Sequence, residues 1–158
     1  MITALYVTIW GALALFTAGE SGRALVRPGS PPPSWAWWAF TSGLVLAIVH
    51  TLIAFDIVHN WAHIDAVRST ALQTDAMYGI AAGWGVYVNY AFFAVWLTDA
   101  WWWRTAPAQR RPASVTWTLR AFYIIVILNA AVVFAAGARR LLGVVLVSWL
   151  TRVWATRR

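Results

Sequence analysis

Five apolar runs, at 2–18, 35–58, 78–102, 117–136 and 141–156, set what this chain can become. A helix rises 1.5 Å per residue, so about 20 apolar residues cross the ~30 Å hydrocarbon core of a bilayer. Only 11% of the 158 residues are charged, against about 25% in an ordinary soluble domain. That is too little charge to cover a globule of this size. The runs predict one all-α domain over residues 1–158, an integral membrane bundle of five transmembrane helices.

The last run is the hardest to place. As a helix, 141–156 reaches only about 24 Å, and the alternative is four spans plus a C-terminal membrane-associated helix. Charge decides between them. The stretches ESGRALVRPGSPPP and RTAPAQRRPAS are basic loops punctuated by proline. If the fifth run spans, nine of the twelve arginines fall on one side and three on the other; otherwise they divide six and six. Basic loops stay cytoplasmic, so the N-terminus is expected outside and the C-terminus inside. The N-terminal run lacks the basic start of a signal peptide and reads as a retained first span. All twelve basic residues are arginine; this points to a GC-rich genome and a bacterial inner (cytoplasmic) membrane.

A net charge of +7 would suggest nucleic acid in a soluble protein. Here the arginines cluster at the ends of apolar runs, so the expected partner is the lipid bilayer and not nucleic acid. The absence of cysteine excludes disulfides, thiolate metal sites, iron–sulfur clusters and covalent haem. No nucleophile elbow, phosphate-binding loop or dinucleotide fingerprint occurs. Tryptophans 35, 37 and 38, and again 101, 102 and 103, flank the basic loops and read as an interfacial belt.

Three groups of polar residues carry the candidate chemistry. In DIVHNWAH, a continued helix places Asp56, His59 and His63 within about 60° of arc. That face could bind a transition metal, handle protons, touch a partner, or simply be a hydrated helix end. The second group is His50, Tyr87, Asn89, Asn129 and Thr8, each expected about 13–18 Å below the outer surface. Lipid cannot satisfy such groups, so they should form a buried polar layer, either a structural network or a small-ligand site. Third, Gly79 and Gly83 form a GxxxG pair suited to close helix packing. Asp99 reads as a surface ion pair with the nearby Arg104. All three histidines lie in or just after one run, which favours a transition metal over haem as any cofactor.

These features predict a non-catalytic accessory subunit or small-ligand-binding protein, working with other membrane subunits or as a homo-oligomer. The rivals are a metal- or haem-dependent redox or assembly protein built on the Asp/His cluster, and a transporter or proton-conducting component using His50, Asn89 and Asn129.

Overall fold

The computed structural model describes residues 2–26, 30–105 and 111–156. Among the described residues the chain is all-helical, with six helices and no strands. They are α1 (Ile2–Ala24), α2 (Ser34–Ile57), α3 (His63–Tyr78), α4 (Gly85–Thr105), α5 (Ala113–Leu128) and α6 (Ala138–Ala155), with a π-helical turn, Asn129–Val133, prolonging α5. The five apolar runs overlap α1, α2, α4, α5 and α6, with differences at their ends. Among the described residues, Ser34–Ile57 and Ala113–Val133 are the helices long and apolar enough to cross a membrane.

The five long helices alternate in direction. One end of the bundle gathers the C-termini of α1, α4 and α6 with the N-termini of α2 and α5. There the Trp37 indole N–H donates to the Ala100 carbonyl at 2.9 Å, and that of Trp154 to Glu20 at 3.0 Å. We call this the basic end. At the far end Thr8 of α1 meets His50 of α2, and Tyr78 of α3 donates to Asn129 after α5.

Small residues bring α1 and α2 together. A Cβ on Gly19 would lie 2.7 Å from the Phe40 Cβ, and one on Gly43 would lie 3.0 Å from the Ala12 carbonyl oxygen. Such absences of side chain allow the backbones to approach. Inside, Phe16, Phe40, Trp96 and Tyr123 are fully buried. Phe16 meets Trp96 edge-on at 4.9 Å and Tyr123 edge-on at 5.1 Å, geometries that aromatic quadrupoles favour. Large apolar side chains are also exposed around the bundle, including Val45, Leu52, Leu97, Ile125 and Val145.

Three sequence expectations are corrected here. Helix α1 continues past residue 18 to Ala24. The intervening ESGRA has no proline, and Glu20 and Arg23 pair one turn apart at 3.1 Å. The run 78–102 is not one helix: α3 ends at Tyr78, and Gly79 takes the left-handed conformation (φ 70°) that stops it. Its N–H donates to the Asp75 carbonyl at 2.8 Å, and helix resumes only at Gly85. Gly79 and Gly83 therefore do not form a helical GxxxG face. Open space surrounds Gly79, while Gly83 sits in the connection against Val67.

The third correction concerns residues 56–63. Helix α2 stops at Ile57, and Asn60 and Trp61 turn the chain with φ of 46° and 59°. Asparagine tolerates that region; tryptophan rarely enters it. Two bonds hold Trp61 there: its backbone N–H to the Phe55 carbonyl (2.9 Å) and its indole N–H to Asp56 Oδ1 (3.0 Å).

Candidate functional site: a buried ion network at the basic end

Glu20 and Asp99 are 3% and 2% exposed, and are the buried charged side chains among the described residues. A carboxylate in that setting is costly unless it is paired and hydrogen-bonded. Helix geometry supplies the partners. Arg23, one turn after Glu20 on α1, reaches Glu20 Oε1 at 3.1 Å and both oxygens of Asp99 on α4 at 3.1 and 3.2 Å. Arg111, just ahead of α5, donates to Asp99 Oδ1. Tyr123 of α5 donates its hydroxyl to Asp99 Oδ2 at 3.1 Å. Trp154 of α6 donates its indole N–H to Glu20 Oε2. Four helices and the segment entering α5 thus meet at two carboxylates.

Aromatic rings close the network. The Arg23 guanidinium lies 4.6 Å from the Trp103 ring centre, and that of Arg111 lies 5.2 Å from Trp102. Trp103 in turn packs on Phe40, with centroids 5.6 Å apart. These cation–π contacts strengthen where water is excluded. The Arg23 guanidinium thus has a carboxylate on each side of it, Glu20 on its own helix and Asp99 on α4.

Arg120 of α5 stands at the edge of the network. It is half-buried, 5.2 Å from the Trp117 ring centre and 5.4 Å from that of Trp154. Among the described residues it has no ion-pair partner.

Sequence reading missed this site. Glu20 and Arg23 were expected in a loop, and Asp99 was expected to pair at the surface with Arg104. Arg104 is instead exposed, 5.9 Å from the Trp37 ring centre. The available signal was the (i, i+3) spacing of Glu20 and Arg23 next to an apolar run. Of the expected interfacial belt, Trp35, Trp38 and Trp101 are exposed. Trp102 and Trp103 turn toward the network, and Trp37 ties α2 to the Ala100 carbonyl of α4.

The sequence-predicted sites lie at the far end. Thr8 Oγ1 and His50 Nδ1 are 3.1 Å apart, so one pair of the expected layer forms. Asn129 receives a 2.6 Å hydrogen bond from Tyr78, and Tyr87 lies 3.3 Å from His63 Nε2. Asn89 is exposed, and no hydrogen bond joins it to His50 or Asn129. The single layer is corrected to separate pairs. Its depths assumed a helix from residue 78; with α4 starting at Gly85, Tyr87 and Asn89 fall in its first turns.

The Asp56, His59 and His63 face does not form either, because the turn at Asn60 and Trp61 separates the histidines. Asp56 accepts from Trp61; His59 packs on Phe55 at 5.6 Å; and His63 Nδ1 lies 3.2 Å from the Tyr90 hydroxyl. Among the described residues no group of three His, Cys, Asp or Glu side chains is placed to hold a metal ion.

The arrangement can do two things. It ties α1, α4, α5 and α6 together at one end through charges withdrawn from solvent, and it leaves a surplus guanidinium beside them. Comparison with known protein families, curated proteins and solved structures finds no match.

Proposed function

We propose that the chain is a small five-span membrane protein without catalytic apparatus, serving as an accessory subunit that contributes a rigid helical unit to a larger assembly or homo-oligomer. The observation that carries this reading is where the charge and apolar surface fall. Val45, Ile48 and Leu52 of α2, Leu97 of α4, Ile125 of α5 and Val145 of α6 are exposed, while Glu20 and Asp99 are buried. Large apolar side chains exposed on four helices, with the acids withdrawn, suit lipid or other membrane helices.

The alternation of the five long helices agrees with five crossings, with α3 lying at the far end. On the positive-inside argument the basic end is cytoplasmic and the setting a bacterial inner membrane. The accessory role is preferred to small-ligand binding because aromatic rings fill the centre of the bundle. Two cavities among the described residues, about 340 Å³ beside Trp35 and about 250 Å³ beside Trp102, are open surface grooves. Thr8–His50 and Tyr78–Asn129 stand as separate pairs, which weighs against a proton relay.

The test is recovery of the tagged full chain from membranes after mild crosslinking. We expect it in the membrane fraction, joined to a defined partner or to itself. Recovery as an uncrosslinked monomer sinks the accessory role. Recovery in the soluble fraction sinks the membrane reading with it.

A further inference from the structure

On the five-span count, three arginines and three acids fall in the sequence segments of one side, and nine arginines with two acids in those of the other. Both of those acids, Glu20 and Asp99, are consumed inside the network by Arg23 and Arg111. Arg120 is one of the arginines left without an ion-pair partner among the described residues, and the one beside the network. It lies within electrostatic range of Glu20 and Asp99, but also of Arg23 and Arg111, which repel it. A partly desolvated guanidinium in that position is completed by an anion.

The chemistry selects the anion. The planar fork of arginine matches two oxygens of a phosphate. Of the flanking rings, Trp154 is buried against Glu20, while the exposed Trp117 belongs to a residue type that settles at the headgroup level of a bilayer. Trp117 is exposed beside Arg120, and both sit on Ala113–Val133, one of the two most membrane-like helices. A long arginine side chain there can extend toward the interface while its stem stays in the apolar region. We propose that Arg120, between Trp117 and Trp154, binds the phosphate of an anionic phospholipid headgroup. The inference rests on the membrane reading above.

Full-length protein in nanodiscs of equal phosphatidylglycerol and phosphatidylcholine tests it, with retained lipid read by native mass spectrometry. The wild type should retain phosphatidylglycerol over phosphatidylcholine by about fivefold more than Arg120→Gln, the scale of one basic residue at an anionic surface. Arg68→Gln removes an equal charge from exposed far-end surface and should keep the wild-type ratio. Arg120→Lys, which keeps the charge and loses the fork, should fall between and serves if Arg120→Gln does not fold. Equal retention of both lipids by the wild type overturns the site. So does a wild-type ratio in Arg120→Gln, or an equal loss in Arg68→Gln. Displacement of the lipid by millimolar inorganic phosphate reassigns the site to a free anion and overturns the lipid assignment. Failure to enter nanodiscs at all strikes the membrane reading; entry without lipid preference strikes this inference alone.

Discussion

Arg23 and Asp99, 76 positions apart in sequence, meet with their nitrogen and oxygen 3.1 Å apart. The bond joins the end of α1 to the end of α4, helices that are not consecutive. Arg23 also holds Glu20, so one guanidinium serves both buried carboxylates. Closing the network therefore requires α1, α4 and the segment entering α5 to be in place together.

Asp99→Asn should destabilise the protein strongly. It keeps the shape and can still accept from Tyr123, but leaves Arg23 and Arg111 facing a neutral group. Breaking a buried pair by removing one partner costs about 3–5 kcal/mol. The measurement is denaturant unfolding of detergent-solubilised protein followed by tryptophan fluorescence. Adding Arg111→Met should recover part of the loss, because Arg111 pairs with Asp99 and its uncompensated charge goes with it, whereas Arg23 keeps Glu20. Strictly additive costs would show that the two residues do not act as a pair.

Elements set by local pattern were readable in the sequence; contacts between distant elements were not. The run expected at 35–58 matches α2 (Ser34–Ile57), and the doubtful last run matches α6 (Ala138–Ala155). Both are bounded by abrupt changes in hydropathy. The run from residue 78 was misread because GIAAGWG is apolar enough to pass for helix, although Gly79 was a recognisable stop signal. That one boundary misplaced Tyr87 and Asn89 in depth and took the polar layer with it. The ion network was hidden for a different reason. Asp99 has Arg104 nearby in sequence, and nothing local reveals that Arg23 and Arg111 reach it instead.

Glycine substitutions should separate the expected packing motif from the real one. Gly19→Ala puts a methyl 2.7 Å from Phe40 Cβ and 2.9 Å from the Ala36 carbonyl. It should cost about 1–3 kcal/mol, the usual range for overpacking a tight contact. Gly79→Ala meets nothing within 4 Å, and its cost comes from the left-handed backbone alone, about 1–2 kcal/mol. The two differ in kind. Asn at position 79 should restore much of the loss, since asparagine tolerates φ of 70°, whereas Asn at position 19 should be worse than Ala. Thermal unfolding of the four variants checks this.

Trp154→Phe tests the second carboxylate. The ring is 3% exposed and its N–H is the donor to Glu20 Oε2. Phenylalanine preserves most of the apolar contact and leaves that buried oxygen unsatisfied, at about 1–3 kcal/mol. In Glu20→Gln, the amide can turn its one carbonyl oxygen toward Arg23 or toward Trp154 but cannot accept from both. Trp154→Phe should therefore cost less in the Glu20→Gln background than alone, as a double-mutant cycle in the same unfolding assay would read out. Strictly additive costs would mean that the indole serves only as packing.

The absence of cysteine makes the topology directly measurable. Single cysteines at Gln73 on α3 and at Thr105 at the end of α4 occupy exposed positions at opposite ends of the bundle. If the basic end faces the cytoplasm, a membrane-impermeant maleimide added to intact cells should label Gln73→Cys. It should reach Thr105→Cys only after the membrane is permeabilised. A third cysteine at Thr156, just past α6, decides the fifth crossing. Five spans place it with Thr105; four spans place it with Gln73. The arginine distribution carries the expectation of five, because only that count puts nine of the twelve arginines on one side. Labelling of Thr156→Cys in intact cells alongside Gln73→Cys would remove the fifth span and, with it, the charge asymmetry that leaves Arg120 in search of an anion.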